Sequence, residues 1–452
     1  MTSSNTPVPV VPTLDRGFQP LGPGQGDGVD FKIALEREGG AISTFSARLS
    51  QGDAETRRRH AERLTKFFLW SRGGWRLHVW AEDSGVAAAL AEAFRPGGAR
   101  AFDVDLMSRV YGREFVVVPA ETPADVPGAV ESEKILGGNL DRCRIGFDLG
   151  ASDYKVAAVR NGEAVYSDEF PWNPKDQADP EYLYQHLNEG LRRAAEHLPR
   201  VDAIGGSSAG VIVDNRFMVA SLLRSIPEDK LPQARNLFLR LREEWGVPLE
   251  VANDGDVTAL AGAMSLGVTG LLGIAMGSSE AAGYINPAGK MTGWLNELAF
   301  APVDLNPEAA ADEWSGDRGV GALYFSQQAV NKLLPAAGVP VAAELTLPER
   351  LKQVQALMAE ETSAARSIYE TIGVYLGHAL PLYAGFYDIR HVLVLGRVTT
   401  GRGGGILLDQ AREVLRRDYP ELSGQIELHL PDEKSRRVGQ AVAAASLPSL
   451  NV

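Results

Sequence analysis

Apolar and polar positions alternate over Phe31–Glu36 and Ala41–Leu49, two runs joined across Gly39-Gly40, and this period of two predicts a β-hairpin. The period then lengthens. Leu64, Phe67 and Phe68 mark one face of the stretch from Ala54 to Trp70, with Arg57, Arg58 and Glu62 elsewhere around it, as in an amphipathic helix. Trp75–Trp80 reads as a strand, Gly85–Phe94 as a helix, and Ala101–Asp105 and Glu114–Val118 as short strands. Residues 1–27, rich in Pro and Gly, read as an irregular leader, and residues 121–141, rich in Glu, Pro, Ala and Gly, as a linker.

Beyond residue 141 apolar strands alternate with helices. Strands are expected at Cys143–Asp148, Lys155–Arg160 and Ala164–Phe170, then a helix over Pro180–His197 and a buried strand at Val201–Gly206. Leu249–Ala252, a helix from Asp256, Gly270–Met276 and Gly283–Ile285 follow. Long helices cover Pro348–Phe386, and strand His391–Leu395 and helix Ile406–Tyr419 come after them. This alternation predicts an α/β chain, and 452 residues allow two or three domains.

Composition narrows the partners. A net charge of -13 argues against nucleic acid, whose phosphates need clustered Lys and Arg, and the run Arg57-Arg58-Arg59 reads as a solvated helix face. Cys143 is the only cysteine, so neither a disulfide framework nor a thiolate zinc site is available; opening an apolar strand, it reads as a small core residue. No stretch reaches the roughly 18 apolar residues of a membrane span, and Met1–Pro12 has no positively charged start. No membrane partner and a cytoplasmic location are expected.

Four segments carry candidate chemistry. In Ile145–Lys155 an apolar strand delivers Asp148 into a turn, where the small residues Gly150, Ala151 and Ser152 admit a phosphate to backbone N–H groups and Lys155 follows. A carboxylate there can hold Mg²⁺, through water, beside the β- and γ-phosphates. About a hundred residues on, Leu249–Asp256 ends a strand in Asn253-Asp254, where Asp254 could take a proton from an attacking hydroxyl; the same stretch equally suits a turn and helix N-cap. Gly277-Ser278-Ser279, between an apolar strand and a second strand, suits a second phosphate loop or a plain hairpin. Gly396, Arg397 and Gly401 open a Gly-rich strand–loop–helix with room for a base and ribose, or simply a flexible loop.

The order of these segments, closed by a small-residue helix at Gly439–Ala445, resembles the actin/hexokinase/heat-shock ATPase superfamily and, within it, the ROK family of sugar kinases and repressors. The resemblance covers about Arg142 to Leu447. It implies a two-domain actin-like ATPase (ribonuclease H-like) fold with an additional small α/β N-terminal domain. The divisions expected are an N-terminal domain at 28–120, a kinase small domain at 142–252 and 435–452, and a large domain at 253–434. It implies ATP and Mg²⁺ as cofactors, a small-molecule sugar as substrate and a role in carbohydrate metabolism, and it allows a homo-oligomer. By this likeness Ser207 and Ser208 lie on the sugar-side loop, Asn253 and Asp254 contact the acceptor hydroxyl with Asp254 as base, and Glu297 binds sugar hydroxyls.

The departures are specific. Phe300 replaces the family's His after the Glu, Ala322 stands where members often carry a second sugar-binding Glu, and Ser278-Ser279 replace Thr-Gly. The zinc-binding cysteine cluster is missing, so no zinc is expected. A catalytically silent nucleotide or sugar sensor is the alternative to a kinase. One further pattern is internal: residues 30–42 align without gaps on 153–165, so the N-terminal region reads either as a degenerate copy of the kinase's first half or as a hairpin alike through turn chemistry alone. In a copy, Gln25 would stand where Asp148 stands.

Overall fold

The structure is a computed structural model and describes residues 14–24, 28–50, 52–131, 137–431 and 439–450. The N-terminal unit runs β1 (Gly28–Glu36), β2 (Ile42–Ser50), α1 (Ala54–Arg72), β3 (Arg76–Ala81), α2 (Ser84–Ala93), α3 (Ala101–Tyr111) and β4 (Val116–Pro119). Its sheet has the order β2-β1-β3-β4, with β1 antiparallel to both neighbours and β4 parallel to β3. The β1–β2 turn passes through Gly39 at φ 68, a conformation glycine adopts without steric cost. Asp53 caps α1, its side chain accepting from the Thr56 N–H.

The stretch from Ala101 is a helix, not the strand its alternating Phe102, Val104 and Leu106 suggest. Asp103, Val104, Met107 and Val110 are the positions buried, a helical spacing, and Gly112 ends the helix in the left-handed region. Nor is the whole of the expected linker a free tether. Val126 is buried, Lys32 Nζ donates to the Pro123 carbonyl at 2.9 Å, and Val130 bridges Ile42. The described part of the leader is likewise anchored: Leu21 N–H donates to Val303, and Phe18 packs 4.8 Å from the Tyr375 ring. Gln25 lies outside the described residues.

Beyond residue 141 the first sheet is built from β5 (Cys143–Leu149), β6 (Asp153–Arg160), β7 (Glu163–Pro171), β8 (Ala203–Ser208) and, after the hairpin β9 (Val211–Val213)–β10 (Arg216–Val219), β11 (Leu249–Asn253). Helices α4 (Pro180–Ala195), α5 (Leu231–Arg235) and α6 (Leu237–Trp245) accompany it. The order is β11-β8-β5-β6-β7: an antiparallel meander with β8 and β11 added in parallel. The second half repeats the plan. After α7 (Asp254–Leu266), β12 (Leu271–Met276) and β13 (Glu280–Ile285) form the hairpin. Helices α8 (Gln327–Leu333), α9 (Leu347–Ala359) and α10 (Ser363–Phe386) precede β14 (His391–Leu395), which joins β12 in parallel. Then α11 (Arg402–Asp418), α12 (Pro420–Ser423) and β15 (Glu427–His429) give the order β13-β12-β14-β15.

The last helix, α13 (Gln440–Ala445), lies directly on the backbone of the first sheet. A Cβ on Gly146 would stand 1.6 Å from the Ala441 carbonyl oxygen, and one on Gly205 would stand 1.7 Å from that of Ala444, so glycine is required at both. A single apolar core runs from the N-terminal unit (Phe31, Phe67, Phe68) into β12 and α10 (Tyr383, Phe386), while Ile145, Phe147 and Phe238 belong to a second core around the first sheet. The N-terminal sheet has the strand order of the five-stranded sheet with its central strand left out, β3 pairing directly with β1. The hairpin, helix and return strand echo; among the described residues, the acid-bearing strand has no counterpart. No helix among the described residues is long and apolar enough to cross a membrane.

Candidate active site

Asp148 is the penultimate residue of β5, in register with Ser207 on β8 and Lys155 on β6. Ser207 Oγ donates to Asp148 Oδ1 at 2.7 Å. Burial lifts the Asp148 carboxyl to about 6 against that hydrogen bond, and the charge of Asp254 adds to the rise. The turn that follows is tight: Gly150 N–H donates to Asp153 O at 3.0 Å, and the Trp172 indole donates to Gly150 O at 2.9 Å. Ala151, Ser152 and Lys155 are exposed beyond it, with Lys155 Nζ 3.6 Å from Glu169.

Asn253 and Asp254 stand at the junction of the two sheets, where β11 passes into α7. Asn253 does cap the helix: its Oδ1 accepts from Gly255 N–H at 2.7 Å while its Nδ2 donates to Gly210 O at 2.9 Å. That leaves one amide hydrogen for a ligand. Asp254 opens α7 and accepts from Gly255 N–H at 3.0 Å; burial raises its carboxyl above the ordinary aspartate range. Glu297 is raised to about 7 by burial, then by the charges of Asp254 and Asp256, and Asp256 to about 7 chiefly by burial. Asp256 accepts from Asn296 Nδ2 at 2.9 Å, and Asn296, at φ 52, accepts from Tyr387 Oη at 3.0 Å. These acids share one electrostatic environment, the charge of Asp254 adding to the rise of both Glu297 and Asp256.

Asn253, Asp256 and Glu297 line a cavity of about 330 Å³ together with the β9–β10 hairpin and residues 291–295. Ser207 and Ser208 are buried and are not among the lining residues; Ser207 serves Asp148, and Ser208 Oγ donates to the Ala209 carbonyl. Gly396, at φ 100, crosses β12 so closely that a Cβ would meet the Met276 carbonyl at 2.6 Å. This sets the Gly-rich loop beside Gly277, whose N–H is taken by Ser279 O at 3.0 Å, with Ser278 and Ser279 exposed. Gly396 and Gly401 line a second cavity of about 630 Å³, reached also by Thr258 of α7 and Gln440 of α13; Arg397 is exposed beside it.

Two solved structures bear on this arrangement, and only through the fold. A ROK hexokinase from Thermus thermophilus superposes with a TM-score of 0.53 at 19% identity, over 67% of this chain and 97% of the other. A ROK family transcriptional regulator, a homologue of the E. coli MLC protein, gives 0.53 at 17% identity over 86% of this chain and 96% of that one. The chain shares the fold of these ROK proteins. No family model matches the sequence, and no curated protein does.

Within that ROK-type fold the N-terminal unit reaches the candidate site, which the sequence did not disclose. Arg37, Glu38, Gly39, Ala41 and Tyr111 line the 330 Å³ cavity. The last-turn carbonyls of α1 hold its far wall: Leu295, Asn296 and Glu297 N–H donate to Arg72, Ser71 and Trp70 O at 3.2, 3.1 and 3.1 Å. The Arg72 guanidinium lies 3.5 Å from the Trp294 ring centroid, and its Nη2 donates to Phe386 O. Phe300 packs on Trp70 at 4.6 Å and on Phe102 at 5.3 Å. Phe300, the departure from the family's His, is thus a contact with the N-terminal unit. Glu280, the first residue of β13, was also missed. Both its carboxylate oxygens are buried without a hydrogen-bond partner among the described residues, and burial lifts it to about 8. It presses on Gly321, where a Cβ would stand 2.1 Å from Oε2.

Proposed function

We propose that the chain transfers the γ-phosphoryl group of ATP to a hydroxyl of a sugar or sugar-like molecule, with Asp254 as general base. The observation that carries this reading is the placement of Asp254: it follows Asn253 of the 330 Å³ cavity and is coupled electrostatically to Glu297 and to Asp148 of the phosphate turn. Asp254 is not itself a lining residue, so an acceptor in the cavity would have to reach it past Asn253; there a raised carboxyl is a better proton acceptor near neutral pH than an ordinary aspartate. The remaining amide hydrogen of Asn253 is a donor there, and Arg37, which also lines the cavity, has its buried Nη1 without a partner among the described residues. Asp256 is already committed to Asn296, so Glu297 is left to accept from acceptor hydroxyls.

Asp148 fits a Mg²⁺ role: a half-buried carboxylate at a strand end, one oxygen held by Ser207, beside exposed small residues. The ion would neutralise phosphate charge there. The adenosine would occupy the 630 Å³ cavity between Gly396–Gly401 and α7. Asp254→Ala should abolish acceptor-dependent ADP release, a loss of about 10²–10⁴-fold or more, while ATP still binds. Undiminished turnover would remove Asp254 from the mechanism.

A second reading is a non-catalytic sensor, favoured by the regulator's coverage of 86% of the chain against the hexokinase's 67%. A DNA-binding role fits poorly, because α1 is buried along its second half and Arg57 is taken by Asp83. A panel of hexoses, amino sugars and polyols, with and without Mg²⁺, separates the two: turnover on any acceptor supports the kinase, and nucleotide binding without turnover supports the sensor.

A further inference from the structure

His391 opens β14 and faces Glu427 across the parallel pairing to β15; two residues on, His429 ends β15 on the same face as Glu427. His391 Nδ1 and His429 Nε2 are 3.0 Å apart. Glu427 Oε2 stands 3.7 Å from the first and 3.8 Å from the second. The carboxylate is therefore beyond hydrogen-bond length from both rings, yet nearly equidistant from them. The imidazole nitrogens, for their part, approach each other although only one of the two can bring the proton between them.

A metal ion accounts for all three distances. A point equidistant from these donors lies about 2.1 Å from each, the length of a Zn–N or Zn–carboxylate bond. We propose that His391, Glu427 and His429 bind one divalent transition-metal ion of the zinc class, with water completing the shell. Two imidazoles and one carboxylate favour Zn²⁺, Ni²⁺ or Cu²⁺ over Mg²⁺ and Ca²⁺, so the site is chemically distinct from the Mg²⁺ position at Asp148. It uses no thiolate and departs from the expectation, drawn from the absent cysteines, that the chain holds no zinc.

The placement gives the ion a task. β15 is three residues long and, among the described strands, an edge strand paired with β14 alone. Leu430 and Pro431 directly after it, with Leu393, Leu395 and Gly396 of β14 and its loop, line the 630 Å³ cavity. An ion joining His391 to Glu427 and His429 clips this edge strand to its neighbour and fixes the wall that β15 leads into.

The test uses the full chain stripped of metal, titrated calorimetrically with Zn²⁺ alone and spectroscopically with Co²⁺. One Zn²⁺ per chain is expected, with the intense visible absorption of a four-coordinate Co²⁺ complex. His391→Ala and His429→Ala should each weaken binding at least about tenfold, since loss of even an indirect metal partner costs that much. Glu427→Gln, at a side chain 70% exposed and so harmless to folding, should weaken it as well and abolish the Co²⁺ signature of the three-ligand site. His197→Ala, at an exposed histidine elsewhere, should leave binding unchanged. Equal affinity of the wild type and Glu427→Gln, or equal losses from His197→Ala and His429→Ala, would overturn the site.

Discussion

Asp317→Asn removes one charge from a buried cluster that joins α1 to the rest of the chain. Asp317 meets Arg63 Nη1 at 2.8 Å, Lys66 Nζ at 2.8 Å and Arg100 Nη1 at 2.7 Å. Lys66 also meets Asp103 at 3.0 Å, and Arg100 meets Glu62 at 2.6 Å. Three cations thus share three carboxylates, and the variant leaves three with two. The side chains of Lys66 and Asp317 are only 1% and 8% exposed, so water cannot screen the excess charge. An uncompensated buried charge costs about 3–5 kcal/mol, against about 0–1 kcal/mol for an exposed pair. Burial alone would raise the Asp317 carboxyl, but Lys66, Arg63 and Arg100 outweigh it and hold it far below the usual carboxylate range. A depressed carboxyl contributes stability above its unfolded pKa of about 3.9, and that contribution is lost as pH falls through the folded value. Urea unfolding followed by tryptophan fluorescence should therefore show a constant deficit for Asp317→Asn between about pH 5 and 8, closing only in stronger acid. Adding Lys66→Met should recover part of it, since an apolar replacement removes the unpaired ion. A deficit under about 1 kcal/mol, or one that widens as pH falls, would refute the electrostatic account.

Three other outcomes follow from the site and the core. Glu297→Gln should raise the acceptor KM about 10-fold or more by weakening hydrogen bonds to a charged group, with the KM for ATP unchanged; equal effects on both would place Glu297 outside the acceptor site. In the proposed mechanism Asp254 acts deprotonated, and burial raises its carboxyl, so kcat/KM should fall on the acid side with a midpoint above the ordinary aspartate value of about 3.9; a rate flat to pH 4 would contradict this. Gly146→Ala places a methyl 1.6 Å from the Ala441 carbonyl oxygen and should destabilise the chain by about 3 kcal/mol or more in thermal melts, because backbone cannot yield as a side chain would; an unchanged Tm would mean that α13 shifts freely.

What the sequence disclosed was what local chemistry encodes. The strand into Asp148, the cap at Asn253 and the Gly-rich loop from Gly396 into a helix each follow from short-range rules, whereas the crossing of Gly396 over Met276 does not. Asp214-Asn215, at φ 49 and 58, was a readable hairpin signal that went unread: two residues tolerant of the left-handed region between apolar runs. The helix at Ala101 misled because three of its apolar residues alternate by chance while the buried face follows another spacing. Asp256 and Glu280 could not be singled out, since what marks them is burial by elements distant in the chain. The same holds for Arg37 and Tyr111, whose place beside Glu297 depends on how two separately patterned units pack.

That packing changes the meaning of the substitutions. Read along the chain, Phe300 is a lost histidine in an acceptor pocket. In three dimensions its ring lies against Trp70 and Phe102, and the loop before it hangs from the last carbonyls of α1. Arg37 and Tyr111 supply surface to the cavity that Asn253 and Glu297 line from the opposite sequence regions. The shared core of Phe67 and Phe386 makes this arrangement expensive to separate, since parting the units would expose apolar area at about 25 cal/mol per Å². On the proposed function, acceptor selectivity would be set jointly by the N-terminal unit and the two halves that follow it, and deleting the N-terminal unit should remove acceptor recognition along with the wall that carries Glu297.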